Sequence, residues 1–205
     1  MLPVTAVAGG RAVAGFEPAA LKKLLAIAGE IPRDLPAPEL LEKYRLAYEA
    51  AKRAVRQIPN EKLDWPTPQK ERRGQTLRQI VWHLFDRPDV CMDAARNGQF
   101  SFEMIHQYER LANNYRTTRD IIEYGDVILS RLEDFLTNQP LLLDKTVNAY
   151  LGSRTVGQLL NLTLSGILLR LKQTYHFMRA VGIEPQETFR DEDFTGVMIP
   201  KKLFG

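Results

Sequence analysis

The sequence is poor in cysteine and in long apolar runs. Its 205 residues include one cysteine, Cys91, which excludes an intrachain disulfide and fits a reducing cytoplasm. The most apolar segment, Val156 to Leu169, contains polar residues and is typical of a buried helix, not of a membrane span. No basic segment precedes an apolar one near residue 1, so we expect no signal peptide, no membrane partner and a cytoplasmic location.

The sequence also has little excess of basic over acidic residues, which argues against nucleic-acid binding. The formal net charge is +3 and the isoelectric point is about 9.0. The basic residues are spread along predicted helices, where they alternate with acids, and no nucleic-acid motif accompanies them. We therefore expect no nucleic-acid partner. Neither a Ser-His-Asp nor a Cys-His arrangement is visible, so the sequence identifies no nucleophile.

The most informative stretch spans residues 76–97 and predicts one long helix. Thr76 and Gln79 have the spacing of a capping box, and apolar residues then recur at the helical period. Pro88 lies inside this pattern and predicts a kink. His83 lies roughly 120° from the centre of the apolar stripe, a position that suits a residue lining a cleft.

Three further segments carry the same period and predict long helices. They span Pro38 to Ile58, Thr117 to Thr137 and Thr155 to Val181. Between the helices, we interpret Asn97 to Asn114 as irregular, with a short helix as the alternative, and Gln139 to Gly152 as a loop. Four helices of this length predict a four-helix bundle, because that arrangement buries all four apolar stripes.

This pattern divides the chain into four parts. Residues 1–29 differ from the rest in their pattern of apolar residues and form an appendage. Residues 30–37 are a proline-rich linker. The bundle covers 38–185. Residues 186–205 predict an extended tail that could lie across the bundle. The fold class is therefore mainly α, with a small N-terminal ββα appendage.

The appendage predicts a hairpin followed by a short helix. Gly9-Gly10 offers a two-residue turn between alternating apolar segments, and Pro18 suits the start of a helix. The stretch LPVTAVAGGRAVAGFEPAALKKLL resembles the second half of a glutaredoxin-like thioredoxin fold, with Leu2-Pro3 at the family's cis-proline step and Gly15-Phe16 before the closing helix. The family's redox activity requires a cysteine in its other half. No Cys-x-x-Cys occurs in this chain, so the activity does not carry over, and a bare ββα decoration is the alternative.

The helical region resembles the DinB-like superfamily. The resemblance is carried by GQTLRQIVWHLFDRPDV and, much later, by TVGQLLNLTLSGILLRLKQTYHFMRAVGIEP, and it covers roughly residues 38–185. It implies a four-helix bundle whose three histidines hold a divalent metal such as zinc or nickel. His83 matches the ligand that the family takes from its second helix, in a TxxxxxxH setting.

The other two ligands of that family are missing here. The family's fourth helix carries HxxxHxxQ before an R-x-x-G-x-x-P ending, which RAVGIEP matches. This alignment places Gln173 on the glutamine of the pattern, and Gly166 and Arg170 on its two histidines. Neither can bind a metal, because glycine has no side chain and a guanidinium has no acceptor.

The remaining histidines do not complete the ligand set. His176 lies about 240° around the helix from Arg170, so it faces elsewhere. His106 lies in the irregular segment, where no spacing supports a ligand. A catalytic metal usually needs three protein ligands, so we expect no cofactor, with a divalent metal as the alternative. His83 is then either a partly buried residue bonded to a neighbour or the one remaining ligand.

Arg170 would place a positive charge near the missing ligands. A buried guanidinium requires an acidic partner or a bound anion, because an unpaired buried charge is very costly. The acidic residues that could serve are Asp86, Asp120, Glu123 and Asp126. A solvated arginine on the surface of the bundle is the alternative.

Two classes of function follow. The first, which we favour, is a non-catalytic or repurposed DinB-like module that binds a small anionic or thiol-bearing ligand, or a protein partner. Its predicted site residues are His83, Gly166, Arg170 and Gln173. The second is a metal-dependent DinB-like enzyme, for which the resemblance implies a thiol-dependent transferase, isomerase or hydrolase.

The appendage also predicts an oligomer. A two-stranded hairpin is marginal by itself in water, so its apolar face must dock on something. We expect a homodimer in which two ββα segments complete each other's sheet, since unpaired strand edges are prone to pairing. Docking on the bundle near Trp82 is the alternative.

Overall fold

Helices make up most of the chain, so the prediction of a mainly helical protein is confirmed. The computed structural model describes residues 4–7, 10–14, 18–26, 33–72 and 74–204. The helices are α1 (Pro18–Leu25), α2 (Ala37–Arg56), α3 (Gln69–Arg72), α4 (Leu77–Trp82), α5 (Arg87–Asn97), α6 (Phe102–Leu111), α7 (Thr118–Asn138) and α8 (Val156–Ala180). The strands are β1 (Val4–Val7), β2 (Arg11–Ala14), β3 (Gln99–Phe100), β4 (Thr146–Ala149) and β5 (Gly152–Thr155).

One apolar core lies between the long helices. Helix α2 packs against α7 and α8, and α8 also packs against α4 and α5. Two fully buried tyrosines of α2 fix it through their hydroxyls. Tyr44 donates to the Leu160 carbonyl at 2.7 Å, and Tyr48 donates to the Phe85 carbonyl at 2.8 Å. These bonds satisfy groups whose burial would otherwise be unfavourable.

The predicted single helix over 76–97 is wrong: the structure divides it into α4 and α5. Thr76 forms the predicted capping box, but α4 ends at Trp82. Helix α5 then begins with Pro88 in its first turn, where the missing N–H of proline costs no helical hydrogen bond. The chain therefore turns at residues 83–86, and this turn places His83 and Asp86 at a junction between helices.

The segments expected to be irregular contain short strands and a helix. Strands β3, β4 and β5 form one sheet in that order, with β3 parallel and β5 antiparallel to β4. Helix α6 is capped by the Ser101 hydroxyl, which accepts from the Met104 amide at 3.2 Å. Strands of two to four residues show too little periodicity to be predicted, although Val147 and Ala149 alternate inward.

The C-terminal tail contacts helices α2 and α8. Phe194 is buried, and Lys43 of α2 donates to the Asp193 carbonyl at 2.8 Å. Two polar side chains of α8 hold the later part of the tail. The Ser165 hydroxyl donates to the Met198 carbonyl, and the Gln173 amide donates to the Leu203 carbonyl.

The N-terminal segment forms a hairpin followed by a helix. Strands β1 and β2 pair antiparallel, with Val4 opposite Ala14 and Val7 opposite Arg11, and α1 follows. The predicted steps at Leu2-Pro3 and Gly15-Phe16 lie outside the described residues.

Trp82 is not a free docking surface for the appendage. It is fully buried, stacked on Tyr124 with ring centroids 4.0 Å apart, and it lies 4.4 Å from the Tyr115 ring. Its Nε1 donates to the Tyr108 carbonyl at 3.2 Å. The alternative of docking the appendage near Trp82 therefore finds no exposed indole, because α6, α7 and the segment between them cover it.

Candidate functional site

A pocket of about 390 Å³ lies beside α8, opposite the turn that separates α4 from α5. Three of the four predicted site residues line it: His83, Gly166 and Arg170. Much of the wall is apolar and includes Phe100, Ile105, Leu159, Leu162, Ile167 and Leu169. Concave sites of this size, with apolar walls and a few polar groups, are typical of small-molecule binding.

His83 is held by a buried carboxylate. Its Nδ1 lies 3.0 Å from Asp86 Oδ2, and the two side chains are 1% and 0% exposed. Burial alone would raise the pKa of Asp86, but the neighbouring His83 and Arg87 lower it overall, so the carboxylate stays charged. Nδ1 therefore carries the proton and donates to Asp86, which fixes the orientation of the ring.

The other ring nitrogen of His83, Nε2, is buried in a side chain that lines the pocket. Burial lowers the pKa of His83 despite the nearby Asp86 carboxylate, and the charges of Arg87 and Arg170 lower it further. The ring is then neutral and Nε2 is an acceptor. Within the part of the chain that the structure describes, Nε2 has no hydrogen-bond partner. Glu109 Oε1 is 3.4 Å away, but the pair is not aligned as a hydrogen bond, and a carboxylate oxygen cannot donate to a lone pair.

Arg87 and Glu109 belong to the site and were missed by sequence reasoning. Arg87 bridges two carboxylates, with Nη1 at 3.1 Å from Asp86 and Nη2 at 3.1 Å from Glu109. His106 Nδ1 lies 2.9 Å from the other oxygen of Glu109. Although burial acts to raise it, the pKa of Glu109 is lowered by the hydrogen bond from His106 and by nearby positive charge. The Arg87 charge is therefore satisfied inside the protein.

Arg170 differs from Arg87 in its partners. It is partly buried in the pocket wall, and Nη1 lies 3.3 Å from Gln173 Oε1. Among the described residues, no carboxylate lies within 4 Å of its guanidinium. Burial and the charges of Arg72 and Arg87 lower the pKa of Arg170 to about 9, so its charge persists at neutral pH but is poorly compensated.

The acidic partners considered for Arg170 are used elsewhere. Asp86 acts on it only at a distance, as a charge that raises its pKa. Asp120 caps α7, Glu123 pairs with Arg119 at 2.7 Å, and Asp126 pairs with Lys52 at 2.9 Å. Arg170 is therefore a cation of the pocket wall that no carboxylate of the described residues contacts.

Gly166 leaves the wall open beside Arg170. A Cβ atom at this position would have no neighbour within 4 Å. Gln173, in contrast, is buried and does not line the pocket. Its amide holds the tail at the Leu203 carbonyl, and its Oε1 lies against Arg170. Gln173 thus orients the arginine, while Gly166 provides room in front of it.

The residues do not fit a divalent metal. Gly166 and Arg170 line the pocket with His83 and offer a metal no ligand, because glycine has no side chain and a guanidinium has no acceptor. Among the described residues, no group of three His, Cys, Asp or Glu side chains is arranged to hold an ion. His176 contacts Glu71 at 3.2 Å and does not line the pocket, as its helical position predicts. His106 is on the surface, 62% exposed, and reaches the site only through Glu109.

The missed residues had weak signals in the sequence. Arg87 follows Asp86 directly, but a continuous helix would have turned these two side chains apart. The break after α4 brings Arg87 to the pocket and leaves Asp86 buried 3.1 Å behind it. Glu109 lies three residues after His106, the usual spacing of neighbours on a helix. Its approach to His83 depends on how α6 folds back, which no local pattern predicts.

Comparisons with known proteins give no assignment. No match to this chain was found among protein-family models, curated proteins or solved structures. None of the helices in the described ranges is both long and apolar enough to cross a membrane.

Proposed function

We propose that this chain is a binding protein for a small organic anion, built on a DinB-like bundle whose metal site has become an anion pocket. Support for the DinB-like part comes from the order of the long helices and from the motif positions. His83, Gly166 and Arg170 match the family's three ligand positions, and all three line one pocket. The chemistry of the three residues suits an anion and not a cation.

The observation that carries the proposal is the contrast between two arginines in one pocket. Arg87 contacts two carboxylates, whereas Arg170 has none within 4 Å among the described residues. A desolvated guanidinium gains most from a carboxylate, phosphate or sulfonate, to which it can donate two parallel hydrogen bonds. The open space at Gly166 allows such a group to approach.

The apolar walls indicate that the ligand has a hydrocarbon part. Leu159, Leu162 and Ile167 line the pocket, and the ring of Tyr150 borders it. Burying apolar ligand surface contributes roughly 25 cal/mol per Å². A monoanion with a short alkyl or aromatic body would use both the walls and Arg170.

Calorimetric titration with hexanoate and with hexan-1-ol tests the proposal. We expect the acid to bind more tightly than the alcohol. Arg170→Gln should weaken hexanoate binding by about tenfold or more, since hydrogen bonds to charged groups contribute about 1.5–3 kcal/mol. Arg179→Gln is the matched control, because Arg179 lies on the same helix, pairs with Glu184 at 3.0 Å and is outside the pocket.

The outcomes separate clearly. If the wild-type protein binds no carboxylate, or if Arg170→Gln binds hexanoate as well as wild type does, Arg170 is not an anion site. Gly166→Leu provides a second check, since its side chain would enter the open space and should block acid and alcohol alike. Including 3-mercaptopropanoate beside propanoate tests whether a thiol adds affinity.

Metal content distinguishes this proposal from the metal-dependent enzyme. We expect protein purified without a metal-affinity tag to carry no stoichiometric zinc, nickel or iron by elemental analysis. The reason is that Gly166 and Arg170 stand at two ligand positions. One equivalent of metal that disappears in His83→Ala would overturn the anion pocket and restore the enzyme interpretation.

A further inference from the structure

The polar groups of the pocket wall differ in whether the protein satisfies them. Arg87 is held by two carboxylates, Ser165 donates to the Met198 carbonyl, and the Thr163 hydroxyl lies 3.3 Å from the Cys91 thiol. The charge of Arg170 and the Nε2 atom of His83 lack such partners among the described residues. One is a cation and the other is a neutral acceptor.

Rotation of the His83 ring cannot satisfy this acceptor without losing the bond to Asp86. Turning the imidazole over would exchange Nδ1 with Cδ2 and so break the 3.0 Å contact between Nδ1 and Asp86, which is completely buried. A buried acceptor without a donor is unfavourable, so the site gains from any group that donates to it.

The position of Glu109 restricts which ligand group can donate to Nε2 of His83. Its Oε1 atom already accepts from Arg87 at 3.1 Å, so it needs no further donor. It nevertheless lies 3.4 Å from Nε2 and places a negative charge beside that nitrogen. A second anion at this point would be repelled, whereas a neutral hydroxyl would be accepted.

We infer that the ligand is a hydroxy acid, whose carboxylate binds Arg170 and whose hydroxyl donates to Nε2 of His83. This inference rests on the proposed anion binding and adds to it a second, neutral point of recognition. Sites with a buried hydrogen-bonding group discriminate strongly against analogues that lack the matching hydroxyl, because the buried group is then left unpaired. His83 is therefore a specificity-determining residue.

Titration of the full chain with hexanoate and its 2-, 3- and 4-hydroxy derivatives tests the inference. We expect at least one hydroxy isomer to bind about tenfold tighter than hexanoate, the effect of one good hydrogen bond in a buried site. In His83→Phe, which has no ring nitrogen, the ratio of the two affinities should fall to about one. Arg179→Gln should keep the wild-type ratio, since Arg179 is outside the pocket.

Nitrogen NMR of the wild-type histidine rings gives a second readout that requires no variant. Before ligand is added, we expect His83 to show a protonated Nδ1 and an unprotonated Nε2. The Nε2 resonance should shift on binding the preferred hydroxy acid and stay in place with hexanoate. A proton found on Nε2 in the free protein would overturn the inference, because the acceptor would not exist.

The two proposals fail in different ways. If hexanoate and all its hydroxy derivatives bind with equal affinity and Nε2 does not respond, the hydroxyl site is wrong and the anion pocket stands. If none of these acids binds, the anion pocket is wrong and the hydroxy-acid inference falls with it. A preference for a hydroxy isomer that persists in His83→Phe would place the hydroxyl at another residue.

Discussion

At the scale of single residues, Cys91 is the simplest chemical probe of the core. Burial raises the pKa of the Cys91 thiol to about 12, and its side chain is completely buried beside Thr163. The thiolate is the reactive form of cysteine, so the folded protein should hold it in an inert state. We expect dithionitrobenzoate to leave the native protein unlabelled and to label one thiol per chain in guanidinium chloride.

The result is unambiguous because the chain has one cysteine. Rapid labelling of the native protein would contradict the buried position and would reopen the question of thiol chemistry that the glutaredoxin-like resemblance raises. Slow labelling at the rate of global unfolding would agree with it.

The residues of the site show which contacts a sequence can predict. Gly166 and Arg170 are four apart in a helix, so their common face follows from helical geometry, and both line the pocket. His83 was expected at a cleft for the same reason. Arg87 and Glu109 could not be predicted, because their positions depend on a helix break and on the path of α6.

At the scale of elements, two of the helix glycines, Gly166 and Gly125, predict opposite effects of the same substitution. Gly166→Ala should stabilise the protein by about 0.5–1 kcal/mol, since alanine is the better helix former and its Cβ meets nothing within 4 Å. Gly125→Ala in α7 should destabilise it, because the added Cβ would lie 2.7 Å from the buried ring of Phe85. Urea unfolding of both variants measures the difference.

Gly125 thus serves as the control for Gly166. A loss of stability in Gly166→Ala would mean that the space in front of Arg170 is filled in solution. Equal changes in unfolding free energy at the two positions would show that helix propensity alone sets the effect of the substitution. They would contradict the close packing of α7 on Phe85.

The junction between α4 and α5 can be tested in the same way. Leu84 lies in the turn itself and is completely buried. Leu84→Ala should cost about 2–5 kcal/mol of unfolding free energy, the usual range for a core cavity. Leu141→Ala, at a position 86% exposed, should change stability by less than about 0.5 kcal/mol. A small effect at Leu84 would contradict the buried turn.

The elements also show where local patterns lose their value. The predicted bounds of α2, α7 and α8 agree with the structure within one or two residues, since long apolar stripes and capping boxes define them. The break before Pro88 was missed because the apolar stripe continues through it. The residue that stabilises the turn is distant in sequence. The Tyr48 hydroxyl donates to the Phe85 carbonyl at 2.8 Å, which satisfies a backbone group freed by the break.

At the scale of the whole molecule, the tail connects the pocket to the rest of the chain. Pro200 lines the pocket, and the tail is held on α8 through Ser165 and Gln173. Gln173 also contacts Arg170 at 3.3 Å, so one amide side chain joins the tail to Arg170. An extended tail was predictable from composition, but its contact with the pocket depends on tertiary packing.

The assembly of the whole molecule depends on the N-terminal segment. Its described part consists of two paired strands and one helix, too little to be stable alone. Leu25 of that helix is 45% exposed. Exposed strand edges and an exposed apolar side chain favour pairing with a second copy, so a homodimer remains our prediction.

Light scattering of the full chain beside a chain that begins at Asp34 tests this prediction. We expect the full chain to be a dimer and the shorter chain, which retains α2 to α8 and the tail, to be a monomer. Leu25→Lys in the full chain is the milder variant, and it should weaken the dimer if α1 lies in the interface, because a charge would replace apolar surface. A monomeric full chain would exclude the dimer, and a shorter chain that stays dimeric would place the interface on the helical core.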